Sequence, residues 1–217
     1  MFFVNPRQKT VYQSPPPKIN LTLFFPNIIL EIKGGCRIFS NIPVGGNGTL
    51  MELDFEIDKI TESIESAETG KRFKTYVLPI NEFDLNEITE SNGWRFDWSY
   101  EFSHPNRQVY KLVTEESPNV IQGMASFEKR ENFVYMHLIE SSPFNIGKSK
   151  KYLGVSCNLV AYGCNLSKWF GFGGVLSFDS KTTLVSHYEK TLGAVRISER
   201  RMVIFEEEAE ILIKKYF

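Results

Sequence analysis

The stretch that most limits what this chain can fold into runs from Phe133 to Ser167. Its first part, Phe133–Ile139, is β-branched and aromatic and reads as a buried strand. Pro143 and Gly147 break that strand, and lysines follow at Lys148, Lys150 and Lys151. Gly154-Val-Ser156 then opens an apolar run in which Val155, Leu159, Val160 and Tyr162 recur at mostly helical spacing. A strand, a basic bend, a glycine and a helix start together form an anion-binding device. The first-turn N–H groups of a helix have no internal partners, and the helix dipole adds partial positive charge there. A phosphate suits that position. Gly154 lets the backbone approach closely, and the lysines raise the local potential. The plainer alternative is a strand–helix connection whose lysines are solvated.

The rest of the chain supplies a sheet around this unit. Phe55–Ala67 places Ile57, Ile60, Ile64 and Ala67 three and four residues apart, which predicts an amphipathic helix ended by Gly70. Its acidic residues, Asp58, Glu62, Glu65 and Glu68, then form a solvated face. Lys74–Ile80 reads as a strand stopped by Pro79, and Asn81–Asn92 as a short polar helix closed by Gly93. Strand signals follow at Trp94–Phe102, Gln108–Glu115 and Val120–Arg130, the last two flanking a turn at Glu116-Ser-Pro-Asn119. Beyond the central unit the pattern predicts a strand at Gly173–Phe178 and a helix at Ser180–Leu192, capped by Ser180 and ended by Gly193. A hairpin of Ala194–Ile197 with Arg201–Phe205 leads to a closing helix at Glu206–Tyr216, acidic at its start and basic at its end, as the dipole favours. The expected class is α+β, with a central mixed, mostly antiparallel sheet of about six to seven strands and helices on both faces.

Residues 1–50 differ in texture, with Pro15-Pro-Pro17, Pro26, Pro43 and the pairs Gly34-Gly35 and Gly45-Gly46. They read as a poorly ordered extension in which Leu21–Ile32 could pair as one or two strands. Met51 is expected to be the natural start of a folded domain spanning 51–217. A net charge of −1 argues against a general nucleic-acid binder. The apolar run Ile19–Ile32 is short and broken by Pro26, too little for a membrane span. Three cysteines, Cys36, Cys157 and Cys164, leave one unpaired in any disulfide scheme and show no metal-ligand spacing, so a cytoplasmic location is expected. Three scattered histidines give no metal site.

Lys151-Tyr-Leu-Gly154-Val-Ser156 resembles the Arg/Gln-x-x-Gly-x-Gly/Ala pyrophosphate loop of the GCN5-related N-acetyltransferases, the GNAT superfamily. Lys stands here for Arg or Gln, and Ser for the last Gly or Ala. Val120-Ile-Gln-Gly123-Met-Ala resembles the third strand of that family, and His187-Tyr-Glu-Lys-Thr-Leu-Gly-Ala194 its helix end. The succession of elements from about Lys74 to Phe205 is similar too. The resemblance implies an acetyl-CoA-dependent N-acyltransferase in which acetyl-CoA is co-substrate and the acetyl group passes directly to an amine of a small molecule or peptide. It implies that Lys148, Lys150, Lys151, Tyr152, Leu153, Gly154, Val155 and Ser156 hold the pyrophosphate. The fourth strand bends away from the fifth in this family, so the backbone of Leu138 and Ile139 would meet the pantetheine arm. Tyr188 would protonate the leaving thiolate. Glu140, at the strand end, is the carboxylate placed to act as base through water. Two other readings stay open: a GNAT-like CoA-binding or regulatory module without catalysis, and an unrelated α+β domain.

Overall fold

The computed structural model describes residues 23–25, 28–33, 36–41, 55, 57, 58 and 63–217. The chain divides into two units, residues 1–42 and 43–217. In the first, strands β1 (Leu23–Phe25), β2 (Ile28–Lys33) and β3 (Cys36–Asn41) pair as an antiparallel meander, where the sequence suggested one or two strands.

Of the helix expected over Phe55–Ala67, residues 56 and 59–62 lie outside the described residues, and its described end is not helical. Ile64 is fully buried, but in a strand, β4 (Ile64–Ser66), not a helix. It pairs with β5 (Arg72–Phe73), and Gly70, at φ +69°, closes the intervening turn by donating its N–H to Ser66 O. Three-and-four spacing does not separate a helix from a short strand when a partner strand is on offer. Strand β6 (Thr75–Pro79) leads into α1, a single helical turn (Glu82–Leu85). Asn81 and Asp84 cap α1 reciprocally, so the polar helix expected to Asn92 ends early; a 3₁₀ turn at Glu90–Asn92 follows, closed by Gly93 at φ +88°. The aromatic run at Trp94–Phe102 is also not a strand. Asp97 accepts from the N–H groups of Ser99 and Tyr100 and starts helix α2 (Trp98–Ser103). A local cap thus overrides β propensity.

Strands β7 (Gln108–Thr114), β8 (Gly123–Lys129) and β9 (Val134–Ser141) form the expected antiparallel series. The basic bend holds a two-residue strand, β10 (Tyr152–Leu153), paired with β4. Helix α3 (Val155–Trp169) follows, then β11 (Leu176–Asp179). Helix α4 (Val185–Leu192) starts later than expected, after a 3₁₀ turn at Thr182–Leu184; Ser180 is buried and caps neither. The hairpin β12 (Val195–Arg196) and β13 (Arg201–Ile204) and the closing helix α5 (Glu206–Tyr216) complete the unit.

One mixed sheet of seven strands, in the order β12-β13-β11-β9-β8-β7-β6, organises these elements. Every pair is antiparallel except β9 with β11. Ser141 and Glu140 are neighbours on β9 and so face opposite ways. Ser141 Oγ lies 3.2 Å from Ser156 Oγ of α3, whereas Glu140 accepts from the indole of Trp98 on α2. Helices therefore cover both faces. The core lies mainly between the sheet and α3, where Leu159, Val160, Ala161 and Cys164 meet strand residues such as Phe127, Met136 and Leu176.

Candidate functional site

The site begins with a defect in the sheet. Leu138 of β9 lies opposite Ser126, but Met136 lies opposite Phe127, so His137 is an extra residue on β9. Such a bulge bends a strand and increases its twist. On its other edge β9 pairs with β11 at two positions alone, Val134 with Leu176 and Tyr135 with Ser177. Beyond Tyr135, β9 keeps its partner β8 through Ser141, and β11 keeps β13 through Asp179. The parallel pair opens toward the start of α3, and Leu138 and Ile139 lie on the opened part.

A cavity of about 260 Å³ lies at the wide end, lined by Ile139, Glu140, Arg95, Lys150, Val155 and Ser156 among others. Gly154 stands at the helix start with φ +82°, a left-handed conformation that a residue with a Cβ adopts at a cost. No side chain of the adjoining residues caps α3. Asp58 does so from a distant part of the chain: its Oδ1 accepts from the Gly154 N–H at 2.9 Å, and its Oδ2 from Lys150 Nζ at 3.0 Å. The donor set therefore suits an anion, since an amide and an ammonium converge on one carboxylate. Asp58 was expected on a solvated helix face; it pairs here instead.

The remaining residues proposed for the bend divide by position. Val155 and Ser156 line the cavity. Tyr152 and Leu153 are engaged in β10: the Tyr152 N–H donates to Asn145 Oδ1, its ring packs edge-on against Phe73 at 5.3 Å, and Leu153 pairs with Glu65. Lys151 turns away, its Nζ over the Tyr152 ring at 5.3 Å, and Lys148 is exposed. Of the three lysines, Lys150 alone lines the cavity. Asn145, which the sequence did not single out, fixes the bend. Buried, it donates to Gln122 O, Gln122 Oε1 and Ser142 Oγ while accepting from Tyr152.

Glu140 is buried, with each carboxylate oxygen held by an N–H: Oε1 by the Arg95 amide and Oε2 by Trp98 Nε1, both at 2.8 Å. The Glu140 side chain is fully screened from solvent in this conformation. Tyr188 on α4 is wholly buried, edge-on to Phe178 of β11. Its hydroxyl donates to Phe55 O at 2.8 Å and accepts from Phe55 N at 3.3 Å, while the two rings stack with centroids 4.9 Å apart. His187, beside it, accepts from Ile57 N through Nε2 at 2.9 Å, so consecutive residues of α4 hold the same segment. His137 bonds to Glu128 at 2.6 Å, and burial pushes its pKa down to about 4 against the pull of that carboxylate. Burial likewise pushes the Cys157 thiol up to about 11 and the Cys164 thiol higher still, so neither is a ready nucleophile.

No protein-family model matches the sequence, and no curated protein matches it. Among solved structures, the chain is similar to spermidine N-acetyltransferase from Vibrio cholerae in complex with CoA and spermine, at 11% identity and a TM-score of 0.46, over 63% of this chain and 98% of that one. It is similar to the ribosomal-protein-S18-alanine N-acetyltransferase from Escherichia coli at 9% identity and 0.44, over 59% and 88% of the two chains. For an IAA acetyltransferase from Bacillus cereus the figures are 13% and 0.37, over 59% and 95%. No helix among the described residues is long and apolar enough to cross a membrane.

Proposed function

We propose that residues 51–217 form an acetyl-CoA-dependent N-acyltransferase of the GNAT kind, passing an acetyl group directly to the amine of a small molecule or peptide. One observation carries this reading: the Gly154 amide and the Lys150 ammonium converge on a single anionic group where β9 parts from β11. A diphosphate would take its place on the same donors, with Val155 and Ser156 beside it. Acetyl-CoA supplies the activated thioester; the protein supplies position and charge.

In this reading the opened edge of β9 at Leu138 and Ile139 gives backbone groups to the pantetheine arm, as a sheet accepts an added strand. The cavity joins that edge to Glu140, whose carboxylate is fixed by Trp98 and Arg95 before any substrate arrives. Glu140 attracts the acceptor's ammonium and takes its proton through a water, leaving a neutral amine to attack the thioester carbonyl. Tyr188, packed on Phe178 of β11, would return a proton from its hydroxyl to the departing thiolate. The nitrogen sheds a second proton as the amide forms, so of the two it loses one matches the proton gained by the thiolate and the other leaves to solvent.

The test is differential scanning fluorimetry with acetyl-CoA, followed by transfer assays on a panel of polyamines and peptides. A ligand that binds the folded form alone raises its midpoint, by an amount that grows with concentration. A midpoint unmoved by millimolar acetyl-CoA, together with no transfer, removes the proposal. Tyr188→Phe is expected to slow turnover with little change in CoA affinity.

A further inference from the structure

The cleft just described already has an occupant, and the occupant belongs to the chain itself. Phe55 packs on Phe178 of β11, ring centroids 6.2 Å apart, and lines the same cavity as Ile139 of β9, so it spans the gap between the parted strands. Its amide and carbonyl both bond to the Tyr188 hydroxyl. Ile57 donates to His187, and Asp58 places its carboxylate on the Gly154 amide and Lys150. A polar backbone lies against α4 and the β11 side, and an anion follows at the helix start. That is the order in which an amide-bearing arm and a diphosphate would run through the same groove.

From this geometry we infer that Phe55, Ile57 and Asp58 act as an internal competitor for the acyl-CoA cleft, a strap that must withdraw before the diphosphate-bearing ligand can bind. The inference rests on the cofactor reading given above and adds its regulation. Asp58 and a phosphate oxygen want the same two donors: the single Gly154 N–H cannot serve both, and the Asp58 charge at Lys150 repels a second anion. Phe55 also closes Tyr188 off: the hydroxyl proposed to meet a thiolate is bonded to the Phe55 backbone, and its ring is covered. Withdrawal of the strap therefore opens the anion site and uncovers the acid in one event. The affinity measured on the whole protein is the intrinsic affinity reduced by the fraction of molecules with the strap withdrawn. Whatever holds the chain before Phe55 elsewhere would act as an activator.

The experiment is isothermal titration of coenzyme A itself into the wild-type chain, Asp58→Asn and Phe55→Ala, each first shown to be folded by circular dichroism. Asp58→Asn removes the competing charge at nearly constant volume; Phe55→Ala removes the stack on Tyr188 and leaves the anion site untouched. Tightening of CoA binding by about tenfold or more in both variants, equivalent to about 1.4 kcal/mol, supports the strap. Equal affinity in all three proteins overturns it and leaves the cofactor reading standing. Weaker binding in Asp58→Asn also overturns it, because Asp58 would then be part of the cradle. Absence of binding in all three, with intact folds, removes the cofactor reading and the strap with it.

Discussion

Gly123→Ala probes whether the anion site depends on how closely α3 lies on the sheet. Gly123 opens β8 opposite Ser141, under the first turn of α3. A Cβ at this position would fall 2.7 Å from Val155 Cγ1, 3.0 Å from the Glu140 carbonyl oxygen and 3.3 Å from Leu159 Cδ1. Two of these neighbours belong to the helix and one to the backbone of β9, which no rotamer change can move. Overpacking of a dense core costs about 1–3 kcal/mol. The backbone of Gly123 is not in the left-handed region, so alanine also gains about 0.4–1 kcal/mol by restricting the unfolded chain. The net expectation is destabilisation of roughly 1–2 kcal/mol, a melting midpoint lower by about 2–8 °C for a chain of this size. If the methyl pushes Val155 outward, the Gly154 amide moves with it and CoA affinity falls as well. The assay is a thermal melt with a CoA titration on the same sample. Val155→Ala in the same background should recover part of the loss, since the closest of the three contacts disappears; the double-mutant cycle isolates that coupling. A variant that melts with the wild type, or a cycle showing no coupling, would refute the close-approach argument.

Three further outcomes are expected. Trp98→Phe takes one N–H from the buried Glu140 carboxylate and should lower stability by about 1.5–3 kcal/mol in urea titrations, with the Glu140→Gln background showing a smaller loss. Because His137 is held to about 4 when folded and titrates near 6.5 when unfolded, the unfolded chain binds the extra proton between those values. Stability should therefore be full above pH 6.5 and fall as the pH drops toward 4, by up to about 3 kcal/mol, and His137→Gln should flatten that limb of the profile. Peptide mapping after iodoacetamide at pH 8 should find Cys157 and Cys164 unlabelled in the native protein and labelled in urea, as their burial and raised pKa values require.

The sequence disclosed those elements whose causes are local. Phe133–Ile139 is buried at every position but His137, with helices on both faces, and its run of β-branched and aromatic residues was sufficient to find β9. The bounds of α5 could be read directly, since three glutamates open it and Lys214 and Lys215 close it. Local reading failed where one short-range force defeated another. Asp97 turned an aromatic run into α2, and the pairing of β4 with β10 made a strand of residues whose spacing suited a helix. The strand is not visible without its partner, whereas the cap is a local signal two residues from the amide it binds. The strand–glycine–helix unit was likewise legible, down to Lys150, Val155 and Ser156 at one cavity. That Lys151 would turn onto Tyr152 was not, because the antiparallel pairing of Tyr152 and Leu153 with β4 sets the direction of the side chains around it.

What fills the cleft was the least legible feature, and the reason bears on how the protein works. Asp58 meets Gly154 across 96 positions of sequence, and Phe55 meets Tyr188 across 133. Nothing in the residues around Asp58 distinguishes a carboxylate bound to a helix start from one in water; only the donors at the other end do. The same donors explain why the segment can be displaced. Its bonds to the anion site are made by a single carboxylate, which a diphosphate can outdo with more oxygens and more charge on the same amide and ammonium. An apolar plug would have no rival there. On the strap proposal, the donors at the start of α3 are held meanwhile by a weaker anion from the chain itself, which a diphosphate can replace without loss of the surrounding core.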